Sequence, residues 1–89
     1  MKKRVRKILD GAGMVYYFPP QMGGWGRSGV PDIVGCYKST FFGIECKAKG
    51  NKPTSLQELN LQAITDAGGF AIIINETEGW DELQAFLNG

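Results

Sequence analysis

Residues 30 to 48 read Val30-Pro31-Asp32-Ile33-Val34-Gly35-Cys36-Tyr37-Lys38-Ser39-Thr40-Phe41-Phe42-Gly43-Ile44-Glu45-Cys46-Lys47-Ala48. Two apolar, β-prone runs, Val30 to Tyr37 and Phe41 to Ala48, are separated only by Lys38, Ser39 and Thr40, and so short a connection predicts an antiparallel hairpin. Pro31 has no amide donor and belongs at the beginning of its strand. Side chains alternate along a strand, so Glu45 and Lys47 share one face with Gly43, while Phe42, Ile44, Cys46 and Ala48 share the other. One face reads as core and the other as charged.

Before the hairpin, residues 2 to 10 place Val5, Ile8 and Leu9 at spacings of three and four, a short amphipathic helix closed near Gly11 or Gly13. Met14 to Phe18 is rich in β-formers and stops at Pro19-Pro20, after which Gln21 to Gly29 holds too many glycines for regular structure. After the hairpin, Leu56, Leu59, Ala63, Ile64 and Ala67 follow the spacing of a buried helical stripe that Gly68-Gly69 stops. Phe70 to Ile74 is wholly apolar, as expected of an interior strand covered on both faces, and Trp80, Leu83 and Leu87 outline a last helix. The predicted order is α-β-β-β-α-β-α, an α/β domain with a mixed central sheet flanked by helices. The helix between the third and fourth strands permits a parallel crossover.

With 89 residues there is room for one domain, residues 1 to 89, and 43% hydrophobic with 11% aromatic residues can fill a single core. No apolar run reaches a membrane span and the amino terminus lacks a signal-peptide pattern, so a soluble, cytoplasmic protein with no membrane partner is expected. Cys36 and Cys46 sit in apolar, strand-like surroundings and read as reduced core thiols. Histidine is absent, which leaves catalysis to carboxylates, lysine and metal. Charge is unevenly spread. Residues 1 to 52 hold all ten Lys and Arg against Asp10, Asp32 and Glu45, a balance of +7, and residues 53 to 89 hold six acids and no base. The first half suits a polyanion, with Lys3 and Arg6 as candidate DNA contacts, although the stretch Lys2 to Lys7 is also what a solvated helix face looks like.

Asp32 follows Pro31 in the strand adjoining Glu45, and hairpin pairing would set the two carboxylates side by side. Close carboxylates repel unless a cation lies between them. Mg²⁺ suits such a place, since it takes hard oxygens, accepts one or two carboxylates and keeps waters; the main-chain carbonyl of Cys46 would be a further ligand. Lys47 would face the same pocket and stabilise charge on a phosphate under attack. The plainer alternative is an exposed ion pair on an edge strand.

Gly29-Val30-Pro31-Asp32, a spacer, then Glu45-Cys46-Lys47, with Pro53-Thr54-Ser55-Leu56-Gln57 opening a helix, resembles the VRR-NUC branch of the PD-(D/E)xK nuclease superfamily from about residue 3 to residue 75. The resemblance implies a restriction-endonuclease-like fold and DNA hydrolysis with Mg²⁺ or Mn²⁺. It makes Asp32 and Glu45 metal ligands, gives Lys47 to the nucleophile or transition state, and brings Gln57 to the site from its helix. Thr54-Ser55-Leu56-Gln57 also fits a capping box, in which Gln57 serves the helix end. Many relatives carry a first-helix glutamate that completes the metal site, and Lys2 to Lys7 offer none.

The loop from Gln21 to Ser28 sets Trp25 and Arg27 among glycines; Arg27 and Ser28 are candidate DNA contacts, and a lid on a small core is the alternative. The expected function is a metal-dependent DNA endonuclease, selective for branched or four-way DNA as a homodimer. Trp80, Phe86 and Leu87, or Met14 to Phe18, are candidate self-complementary patches. Against it stand a nucleic-acid-binding module of the same fold that no longer cuts, and a protein-interaction domain, which would leave the charge split unexplained.

Overall fold

The structure, a computed structural model, describes residues 1 to 20 and 28 to 89. Arg27 and the rest of 21 to 27 lie outside the described residues. Among the described residues seven elements follow in the expected order: α1 (Lys2–Ala12), β1 (Val15–Phe18), β2 (Ile33–Tyr37), β3 (Thr40–Cys46), α2 (Ser55–Asp66), β4 (Phe70–Ile74) and α3 (Trp80–Asn88). The sheet runs β1-β2-β3-β4, with β2 antiparallel to both its neighbours and β3 parallel to β4, so it is mixed and helices flank it. Among the described residues no helix is long and apolar enough to cross a membrane.

The hairpin forms with a tighter turn than expected. Tyr37 pairs with Thr40, and Lys38 and Ser39 alone turn the chain at φ 47° and 69°. Two successive positive-φ residues make the turn whose twist matches that of the strands, here without the usual glycine. Asp32 falls just before β2, so this strand begins three residues later than the apolar run.

One sheet face carries the main core. Val5 and Leu9 of α1 and Leu83 and Leu87 of α3 pack with Ile33, Tyr37, Phe42, Ile44 and Ile74. Phe86 stacks on Phe70 with centroids 4.3 Å apart, and the Tyr37 hydroxyl donates to the Leu87 carbonyl at 2.7 Å. The carboxyl-terminal trio therefore does not form the outward patch suggested for a dimer: Leu87 is buried, and Trp80 and Phe86 pack against the core.

The other face is covered by α2 over β3 and β4. A Cβ on Gly43 would meet Ile64 Cδ1 at 2.7 Å and Pro31 Cγ at 2.8 Å, so only a glycine lets the helix and the chain before β2 close down on β3. Two expectations change here. The buried side of α2 is Asn60, Leu61 and, in part, Gln57 and Ile64, whereas Leu56, Leu59, Ala63 and Ala67 are exposed, Leu59 to 65%. The physical reason is the chain crossing in front of α2: Asn60 Nδ2 donates to the carbonyls of Ser28 (3.3 Å) and Leu56 (2.9 Å), which turns that side inward. β4, expected inside the sheet, is an edge, with Ile73 38% exposed. Of the two thiols, both free, Cys46 packs against the core as expected and Cys36 is exposed, on the sheet face opposite the main core.

Candidate active site

The hairpin register that pairs Ile33 with Ile44 sets Asp32 opposite Glu45 one step further on, as the sequence spacing required. Asp32 Oδ2 accepts a hydrogen bond from the Cys46 amide at 2.9 Å, which fixes this carboxylate across the end of β2. Its partner is deeper. Glu45 is 2% exposed, and its Oε2 is buried without a hydrogen-bond partner. A buried acceptor left open in this way fits a cation ligand or a carboxyl that keeps its proton. Glu45 is thus on a covered central strand, and the exposed edge-strand ion pair is excluded for it.

The two carboxyls lie within hydrogen-bonding reach and divide one proton between them. Burial, then the bond to Asp32 and its charge, push Glu45 up to about 8, against the opposing pull of Lys47 and Lys2. Burial works to raise Asp32 as well, but the bonds from Glu45 and the Cys46 amide and the Lys2 ammonium outweigh it and hold Asp32 below its ordinary value. At neutral pH the pair therefore carries about one negative charge, on Asp32.

Lys47 N–H donates to the Ile74 carbonyl on the β4 side at 2.9 Å. Successive residues of a strand address opposite edges, so both the N–H and the C=O of Cys46 face β2 and Asp32. The Cys46 carbonyl is accordingly on the side where a further oxygen ligand is wanted. Its thiol points to the core instead, where burial pushes it up to about 11. Lys47, half-buried, shares the sheet face of Glu45 and acts on its charge. Two carboxyls and a carbonyl are hard oxygen donors of the kind that Mg²⁺ accepts. Among the described residues no group of three His, Cys, Asp or Glu side chains clusters as a fuller metal cage.

Lys2 is the residue that sequence reasoning left in the background. Its Nζ lies 3.5 Å from Asp32 Oδ1 at the start of α1, so the first helix brings a cation, not a carboxylate, to the pair. Lys2, Lys3 and Arg4 crowd the positive end of the helix dipole, an arrangement that costs helix stability and concentrates positive potential there. That absence of any acid in the first turn was the signal in the sequence. Arg4 sits over the Trp80 ring at 4.0 Å, while Lys3 and Arg6 are exposed on α1. Ser28 is exposed beside the N-terminal half of α2. Gln57 takes the capping role: Gln57 N–H donates to Thr54 Oγ1 at 3.2 Å and its Oε1 accepts from the Thr54 amide at 2.9 Å. No hydrogen bond links Gln57 to Asp32, Glu45 or Lys47 among the described residues.

Searched against protein-family models the chain matches none, and a search of curated proteins finds no match.

Proposed function

We propose that this chain is a Mg²⁺- or Mn²⁺-dependent DNA endonuclease of the VRR-NUC kind, acting as a homodimer on branched DNA. The observation that carries the reading is the buried Glu45 carboxyl facing Asp32 across the hairpin end, with one oxygen unpartnered and Lys47 on the same sheet face. Asp32, Glu45 and the Cys46 carbonyl would hold the divalent ion, which supplies Lewis-acid polarisation of the scissile phosphate. With a divalent ion bound, Glu45 would be ionised, its proton released to solvent, and Asp32 would remain anchored by the Cys46 amide. Lys47, close enough to act on the charge of Glu45, would stabilise negative charge growing on the phosphate oxygens. Exposed Lys3, Arg6 and Ser28 suit phosphate contacts along the backbone. A twofold pair of such sites matches the symmetry of a four-way junction without base readout.

A second reading rests on Lys2. An ammonium beside Asp32 neutralises the pair without a metal, which is what a binding module that no longer cuts would keep. Labelled linear, flapped and four-way DNA incubated with Mg²⁺, Mn²⁺ or EDTA separates the two. Cutting that EDTA and Asp32→Ala both stop supports the nuclease. Binding with no cutting under either metal supports the module, and a chain that does neither overturns both.

A further inference from the structure

On the face that α2 covers over β3 and β4, the described residues leave Tyr16, Phe18, Cys36 and Phe41 exposed around a buried Val34. Tyr16, Cys36 and Phe41 form one cross-strand row, and Phe18, Val34 and Gly43 form the next. The register places the Asp32 and Glu45 pair one row beyond Val34 and Gly43 on this same face. Three rings rise from it: Tyr16 is 71% exposed, Phe18 45% and Phe41 48%. Their partners in alternation, Val15, Tyr17 and Phe42, face the core, so the outward rings are not surplus core residues that failed to fit. Tyr16 and Phe18 have centroids 6.1 Å apart, and the small Cys36 between Tyr16 and Phe41 leaves a gap about two strand spacings, or roughly 10 Å, wide.

We propose that this part of the face is a stacking platform for unpaired nucleobases, which Tyr16, Phe18 and Phe41 hold next to the carboxylate pair. The proposal deepens the nuclease reading and rests on it for the position of the scissile phosphate. Base stacking on exposed rings is tolerant of sequence and demands single-stranded or splayed DNA, since bases within a duplex already stack on each other. Charge argues for a polyanion on this face. From Val15 to Lys47 the chain holds no acid except Asp32 and Glu45, Lys47 continues the face past the pair, and Lys38 stands at the hairpin turn beyond the other end. A second copy docked here would set like charges together and close both carboxylate pairs, so the homodimer proposed above would have to form through another face. Bases resting on the platform would place the adjoining backbone beside Asp32 and Glu45, one row beyond Val34 and Gly43.

The test uses the whole chain in EDTA, so that binding is read apart from cutting. An oligo-dT strand and an abasic strand of equal length carry the same phosphates and differ only in bases. The expected result is at least tenfold tighter binding of oligo-dT by fluorescence anisotropy, a preference removed when Tyr16→Leu and Phe18→Leu are combined. Leucine keeps an apolar, strand-compatible side chain without a ring, and circular dichroism confirms the fold. Maleimide labelling of the exposed Cys36 gives an independent reading on the unaltered chain: oligo-dT should slow it several-fold, the abasic strand should not. Equal binding of the two strands, or a double variant that keeps the preference, overturns the platform. So does a double variant that halves the sedimenting mass while binding both strands as before, which would assign the face to a second copy. Base preference without cutting in Mg²⁺ or Mn²⁺ leaves the platform standing and sinks the nuclease, and cutting without base preference does the reverse.

Discussion

Replacing Glu45 with glutamine exchanges a buried carboxyl for an amide of nearly the same shape, one that can still donate to Asp32. The consequence depends on pH. Glu45 titrates near 8 in the folded chain against an ordinary 4.5, so folding holds a proton that the unfolded chain has released. Stability from this group is complete below the unfolded value and is lost as pH rises toward the folded one, at no more than about 1.4 kcal/mol per pH unit. Between pH 6 and pH 8 the natural protein should therefore lose roughly 2 kcal/mol that Glu45→Gln does not lose. For a domain of this size that is a difference in Tm on the order of 10 °C. Urea and thermal melts followed by tryptophan fluorescence at both pH values measure it, and the comparison between the two proteins cancels every other titrating group. At pH 6 the curves should nearly coincide; at pH 8 the variant should be the more stable. A natural protein that gains stability over this interval relative to the variant would refute the shared-proton account of the pair.

Other expectations follow from the same geometry. Asp32→Ala should abolish cutting and keep the fold at a cost of about 1 to 3 kcal/mol, because the Cys46 amide and the Glu45 proton lose their acceptor; a variant that still cuts in Mg²⁺ contradicts its role. Lys47→Ala should lower the single-turnover rate well beyond its effect on DNA affinity, and equal losses would reduce it to a phosphate-binding group. Lys2→Ala should cost less than about 1 kcal/mol of stability, since the pair with Asp32 is partly exposed, and should raise Mn²⁺ affinity measured by calorimetry; unchanged affinity would mean that Lys2 does not contest the site. Combined Lys3→Ala and Arg6→Ala should flatten the salt dependence of DNA binding, by roughly one unit of slope for each phosphate that is no longer neutralised. Gly43→Ala should destabilise by about 1 to 3 kcal/mol in urea, given the Ile64 and Pro31 atoms in the way.

What the sequence made legible is what depends on neighbours along the chain. The hairpin, the alternation that puts Glu45 opposite Asp32, and the capping box at Thr54 all rest on spacings of a few residues. What it hid depends on packing across the fold. The apolar stripe at Leu56 and Leu59 has proper helical spacing, yet Asn60 is drawn inward by the Ser28 carbonyl, a partner 32 residues away. Phe70 to Ile74 is apolar whether a strand has one neighbour or two, so its edge position could not be read from composition. Lys2 meets Asp32 only because α1 ends its packing on the core with its first turn at the mouth of the hairpin, which no local pattern encodes.

The two-residue turn at Lys38 and Ser39 also sets an order in time. A hairpin closes within microseconds, while the parallel pairing of β3 with β4 waits for the whole α2 crossover to be laid down. Asp32 and Glu45 are thus brought face to face while water still screens them, and both can remain ionised at that stage. The conflict between them arises only when α2 closes over the face and the screening disappears. Proton uptake by Glu45 belongs to that closing step, so the carboxyl pair is assembled first and acquires its charge state last.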